Sequence, residues 1–110
     1  MTAAIYGRRS TDKQSQASTE DQARNCYAFA AREGIVVTHT FCDEGISGTV
    51  RARPGYNAML QAAEQGAFDV LLVDDLSRLA RDATEQGLTL KRLKFLEIRV
   101  VGVSEGYDSD

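Results

Sequence analysis

The chain has 110 residues, 43% hydrophobic and 26% charged, with a formal net charge of −3 and a pI near 5.1. That size and composition suit one compact domain with a single core, burying roughly two thirds of its unfolded surface, and exclude a disordered or fibrous chain. The acidic balance argues against a domain that grips nucleic acid unaided, because such affinity comes largely from neutralising phosphates.

No apolar run approaches the roughly 20 residues of a membrane helix, and residues 1–9 lack the apolar core of a signal peptide. The expectation is therefore a cytoplasmic protein without a membrane partner. Cys26 and Cys42 have no metal-ligand spacing and are read as reduced packing residues.

Residues 3–8, with Ile5 and Tyr6, predict a first strand that runs into a polar loop over residues 10–18. Ala23, Cys26, Tyr27, Ala30 and Ala31 then recur at helical spacing, with Thr19 and Gln22 placed as a capping box and Gly34 as the stop. Residues 36–42 are rich in β-branched side chains and predict a second strand, followed by a loop over residues 43–53 that contains Gly45 and Gly48.

Pro54 suits the first turn of a second helix, whose buried stripe is Tyr56, Met59, Leu60 and Ala63 and whose stop is Gly66. Residues 69–74 enclose the unbroken run Val70, Leu71, Leu72, Val73, as expected of a strand covered on both faces. Leu79, Ala83, Leu90 and Leu93 mark a third helical segment that ends near Leu96, with Gly87 as a weak point in its middle. Residues 98–103 predict a fourth strand, and residues 106–110 form a polar segment that closes no further element.

This alternation predicts an α/β fold, a three-layer sandwich with a mainly parallel sheet of four or more strands and helices on both faces. Sites in such sheets lie beyond the carboxyl ends of the strands. Arg8, Arg9 and Ser10 follow strand one, and Ser77, Arg78 and Arg81 follow strand three, so both clusters fall on one edge.

The single histidine, His39, sits in mid-strand and is read as a surface or packing residue, which excludes a Ser/His/Asp triad. A serine without a basic partner can still act where guanidinium groups favour its alkoxide and grip a phosphate. Strand periodicity puts Arg8 on the face of Ser10, Arg78 and Arg81 are three apart and share one face of an early third helix, and Arg53 ends the second loop. Four arginines thus surround one candidate phosphodiester, whose transition state spreads negative charge that only prepositioned donors stabilise cheaply.

Taken in order, Tyr6, Arg8, Ser10, Gln22, Arg53, Asp69, Arg78 and Arg81 resemble the catalytic domain of serine recombinases of the resolvase/invertase family, and the likeness spans nearly the whole chain. The resemblance implies that Ser10 is the nucleophile and forms a 5′-phosphoserine with double-stranded DNA, releasing a 3′ hydroxyl. It further implies that Arg8, Arg78 and Arg81 bind the scissile phosphate, that Arg53 assists, and that Gln22 and Asp69 support or orient the site. No metal, nucleotide or other cofactor is implied.

The family's long dimerisation helix and separate DNA-binding domain do not match any part of residues 1–110, which implies a catalytic fragment. By itself such a fragment is expected to be monomeric and to bind DNA weakly, while the complete protein forms a dimer and a synaptic tetramer. The loop over residues 43–53 and the pattern from Ser18 to Gln22 lean toward the larger integrase or transposon type.

Two departures stand out. Ser77 occupies the place where many members carry aspartate, with Asp75 two residues earlier, and Arg9 replaces an aliphatic residue and points away from Ser10. Two other readings share the pattern. One is a catalytically idle regulatory or assembly module of the same fold, and the other is a phospho-acceptor or small-ligand α/β domain using Asp74 and Asp75.

Overall fold

The structure is a computed structural model that describes residues 1–9, 18–44, 53–80 and 82–110. Its elements follow the expected alternation: β1 (Thr2–Arg9), α1 (Thr19–Glu33), β2 (Val36–Glu44), α2 (Pro54–Glu64), β3 (Val70–Val73), a 3₁₀ turn (Leu76–Arg78), α3 (Ala83–Phe95), β4 (Arg99–Gly102) and β5 (Tyr107–Asp108). The strands form one sheet in the order β2-β1-β3-β4-β5. The first four strands run parallel, and β5 is antiparallel to β4.

Period-two alternation along β1 divides the core between the two faces of the sheet. Ala3 and Ile5 pack with Val70, Leu72 and Val101 under Cys26 and Ala30 of α1. Ala4 and Tyr6 pack with Leu71 and Val73 under Met59 and Ala63 of α2 and Leu93 of α3. The three layers expected from the sequence are therefore present, and β3, buried at all four positions, lies between the helix layers.

Because β1 is crossed to β2 on one face and β3 to β4 on the other, the β1–β3 boundary is where the connections diverge. In open α/β sheets such a divergence marks the carboxyl edge as the usual place for a ligand site. Arg8, Asp43 and the segment after Val73 all reach that edge, since Arg8 pairs with Asp43 and Tyr6 with Val73.

The local details correct several expectations. Residues 106–110 do close an element, because Tyr107 and Asp108 pair with Val101 and Gly102 and Arg99 grips Asp108 through both Nε and Nη2. A two-residue strand carries no periodic signal, so the sequence pattern cannot reveal it.

The N-cap of α1 is Ser18, whose Oγ accepts from Asp21 N at 3.1 Å. Thr19 and Gln22 do not form a capping box, and Gln22 is instead buried. Arg78 lies in the 3₁₀ turn, outside any α-helix. Asp75 caps that turn through Ser77 N at 2.9 Å, and Asp82 starts α3 afresh by accepting from Glu85 N at 2.8 Å.

Both cysteines are free, but only Cys26 is buried; Cys42 is exposed and is not a packing residue. Burial and the nearby Asp74 carboxylate push the Cys26 thiol up to about 12. His39 stacks on Phe41 with ring centroids 5.9 Å apart, in keeping with a packing role. No helix among the described residues is long and apolar enough to cross a membrane.

The first turn of α2 lies against the end of β2 so closely that only glycine fits. A Cβ on Gly55 would sit 2.3 Å from the Cys42 carbonyl oxygen and 2.8 Å from its carbon. Both neighbours are backbone atoms that cannot swing aside. Gly55→Ala is expected to lower unfolding stability by about 1–3 kcal/mol, read as a lower urea midpoint with unchanged slope.

Candidate active site

Gln22 fixes the end of β1. Pairing of β1 with β3 stops at Tyr6 and Val73, and the Gln22 side chain supplies the next donor and acceptor. Its Oε1 accepts from Arg8 N at 3.1 Å, and its Nε2 donates to Arg8 O at 3.1 Å. A side-chain amide thus stands in for a strand and holds the backbone two residues before Ser10.

Three arginines meet beside this point. Arg8 donates from Nε to Arg78 O at 3.3 Å and from Nη2 to Ser77 O at 2.9 Å. Arg53 donates from Nη2 to Arg78 O at 3.1 Å and to the Tyr6 hydroxyl at 3.0 Å. Arg78 returns a bond from Nη1 to Arg8 O at 3.2 Å. The 3₁₀ turn thereby holds two guanidinium groups with its carbonyls while contributing the third.

These partners are neutral, so they orient the cations without cancelling their charge. Arg78 is buried to 6% exposure, and it also makes a long ion pair with Asp75, 3.7 Å from Nε. Among the described residues, Arg53 Nε and Arg78 Nε are buried without a hydrogen-bond partner. A desolvated guanidinium with an unused donor is costly unless an anion completes it. The planar fork matches phosphate oxygens in particular.

Arg53 is held in place by aromatic side chains. Its guanidinium lies 4.0 Å from the Tyr56 ring centroid and 5.7 Å from that of Tyr6, and the two rings meet edge to face at 5.9 Å. Cation–π attraction restrains the group without neutralising it.

Beneath them lies Asp43, which the sequence pattern alone did not single out. At 3% exposure, its carboxylate accepts from the Tyr6 hydroxyl at 2.7 Å and from Gly55 N and Tyr56 N at 2.8 and 2.9 Å. The last two are orphan donors of the α2 N-terminus, where a carboxylate is favoured. Burial, followed by the bond to Asp43, pushes the Tyr6 phenol well above its usual range, so Tyr6 remains a neutral donor. The available signal was a carboxylate ending β2 on the edge already marked by Arg8.

Ser10 and Arg81 lie outside the described residues, as do residues 10–17 and 45–52 of the two loops. Ser10 follows Arg9, the last residue of β1. Arg9 shares its register position with Glu44 on β2.

Asp69 does not join the arginine cluster. It sits before β3 at the opposite edge of the sheet, where its carboxylate accepts from Thr2 N at 3.0 Å and Thr2 Oγ1 at 3.3 Å. Its place is to tie the first residues of β1 to β3, a full strand length from Arg8. Ser77 donates through both its backbone N–H and its hydroxyl to Asp75, which makes Asp75 a cap of the turn. No group of three or more acidic, histidine or cysteine side chains suited to a metal occurs among the described residues.

Residues 3–110 match the family described as Resolvase, N terminal domain. The chain is 39% identical over 87 residues to the transposon Tn2501 resolvase of Escherichia coli, covering 76% of this chain and 41% of that protein. It is 28% identical over 106 residues to a putative DNA recombinase of Bacillus subtilis (strain 168), covering 94% of this chain and 21% of that protein. It therefore spans less than half the length of these curated relatives.

Among solved structures, it is similar to the N-terminal catalytic domain of TP901-1 integrase, with a TM-score of 0.86, 29% identity and coverage of 99% of this chain and 82% of the other. A resolvase family site-specific recombinase from Streptococcus pneumoniae gives a TM-score of 0.86 at 28% identity, covering 99% and 76%.

Two substitutions separate the roles of the carboxylates. Asp43→Leu leaves the Tyr6 hydroxyl and two helix N–H groups unpaired, and it is expected to lower stability by about 3 kcal/mol or more, measured by chemical denaturation. Asp69 is held below the usual carboxylate range chiefly by the Thr2 N–H, so its contribution is present above about pH 4 and fades as pH falls through the lowered value. Asp69→Asn should therefore flatten the acid limb of the stability profile, followed by circular dichroism between neutral and acid pH.

Proposed function

The chain belongs to the resolvase family, and we propose that it is the catalytic domain of a serine recombinase that cuts and rejoins double-stranded DNA at specific sites. The observation that carries this reading is the convergence of Arg8, Arg53 and Arg78 at the carboxyl end of β1, immediately before Ser10 in the sequence.

In this reaction the Ser10 hydroxyl oxygen bonds to the scissile phosphorus and the bond from phosphorus to the 3′ oxygen breaks. The serine proton is lost and the 3′ oxygen gains one, which leaves a 5′-phosphoserine ester. One phosphodiester is exchanged for another, so the energy needed for rejoining is retained. The guanidinium groups bind the nonbridging oxygens and stabilise the charge that develops on them. Arg81 is assigned to the same cluster from the sequence pattern. Gln22 acts through the backbone of Arg8, and Asp43 acts through Tyr6 and Arg53. No metal is needed in this scheme, so cleavage is expected to continue in chelator.

The complete protein is proposed to act as a dimer that assembles into a synaptic tetramer. The net charge of −3 supports a division of labour in which other segments supply most of the affinity for DNA. The arginine cluster favours this reading over an idle module of the same fold, because an idle module has no need to keep buried cations poised for an anion. It also disfavours the phospho-acceptor reading, since Asp74 is engaged by Asn25 at 3.1 Å and by Ser104 at 2.5 Å.

The decisive experiment incubates the full-length gene product with a duplex carrying its recombination site, nicked so that religation is impossible, and then analyses the digested protein by mass spectrometry. A nucleotide adduct is expected on the Ser10 peptide and is expected to be absent from Ser10→Ala. Arg78→Ala should slow adduct formation by roughly 10³-fold or more. Binding to the site without any adduct would overturn the proposal.

A further inference from the structure

The turn between β4 and β5 reaches across to the segment that carries Arg78. Val103 N donates to Val73 O at 2.9 Å and Ser104 N to Asp74 O at 2.7 Å. Ser104 Oγ also donates to the Asp74 carboxylate at 2.5 Å. Most directly, Glu105 Oε1 accepts from Leu76 N at 2.7 Å.

Leu76 opens the 3₁₀ turn, and the first N–H groups of such a turn have no partner within it. Glu105 satisfies Leu76, and Asp75 satisfies Ser77. At the other end of the same three residues, the carbonyls of Ser77 and Arg78 hold Arg8 and Arg53. A shift of the turn therefore moves three guanidinium groups together.

The backbone is shaped for this contact. A Cβ on Gly102 would lie 2.7 Å from Glu105 Oε1 and 3.3 Å from its Cγ, so the side chain folds back over β4 because residue 102 is glycine. Gly106, at φ 69°, supplies the left-handed bend that follows, a conformation glycine adopts without strain.

We propose that Glu105 is a positioning residue for strand cleavage, fixing the turn Leu76–Arg78 and through it the geometry of Arg8, Arg53 and Arg78. The proposal rests on the recombinase reading above. Glu105 itself is exposed and acts through the turn, without touching the reacting atoms. Misplacing catalytic groups by about 1 Å from a remote site can slow a reaction by around a hundredfold.

The test compares wild type, Glu105→Ala, Glu105→Gln and Gly102→Ala in the full-length gene product, at saturating nicked site DNA and in a single turnover. Glu105→Ala is expected to slow Ser10 adduct formation between tenfold and about a hundredfold, with unchanged affinity for the DNA and faster exchange of the Leu76 amide. Glu105→Gln keeps the accepting oxygen and should stay close to wild type. Gly102→Ala displaces the carboxylate without removing it and should resemble Glu105→Ala.

A role in stability alone would lower the melting temperature of Glu105→Ala while leaving its cleavage rate at saturation at the wild-type value, and that result overturns the proposal. So does Glu105→Gln cleaving as slowly as Glu105→Ala. Should Glu105→Ala fold too poorly to assay, cleavage by Gly102→Ala at the wild-type rate overturns it equally. A wild-type protein that binds its site without forming an adduct removes the recombinase reading and this proposal together, whereas a normal wild type beside an unimpaired Glu105→Ala removes this proposal alone.

Discussion

Like charges that must stand together are the constraint around which this molecule is organised. The carbonyls of a single 3₁₀ turn hold Arg8 and Arg53 while the turn itself contributes Arg78, and like charges gathered in a partly desolvated site repel one another. Pairing each with a carboxylate would relieve the repulsion and spend the positive charge. The fold instead holds Arg53 with a backbone carbonyl, a phenol and aromatic faces, and Arg78 with a backbone carbonyl and a single long ion pair to Asp75. These contacts set direction while leaving charge for an anion.

Rigidity for that arrangement comes from one layer further out. Asp43 joins β2, β1 and the start of α2 through three hydrogen bonds, so the strand pair that presents Arg8 and the helix that follows Arg53 cannot move independently. Gln22 performs a similar task from the opposite face, locking the last residues of β1 after β3 has ended. Buried polar groups of this kind are costly when incomplete and strongly specifying when satisfied. Their bonds converge on the carboxyl edge of the sheet, where the crossovers diverge. The core beneath is ordinary: apolar β3 between two helix layers. Tyr6 belongs both to that core and to the arginine cluster, so packing and the cluster are joined at the end of β1.

Much of this was legible in the sequence because it depends on local periodicity. The apolar run Val70–Val73 declared a strand covered on both faces, and the alternation of strands and helices left few topologies open. Arg8 and Arg78 could be assigned to one edge because residues that end parallel strands must lie together. Other features depended on partners distant in the chain. Gln22 has the spacing of a capping residue, yet the neighbouring Ser18 took the cap and the backbone of Arg8 claimed the amide. Asp69 resembled a site residue by position, but its carboxylate met the N-terminal residues of β1 at the wrong edge.

The sequence by itself determined the α/β class, the strand order of events along the chain, the family resemblance and the identity of the arginines, since each is written in residue type and spacing. Only the tertiary structure decided that Arg78 leaves the helix for a 3₁₀ turn, that Asp43 underlies Arg53, that β5 exists, and that Glu105 reaches back to Leu76. Each of those outcomes is settled by which unsatisfied backbone or carboxylate group meets which partner once the sheet has formed. Such pairings span up to 70 residues, as between Arg8 and Arg78, and no local pattern encodes them.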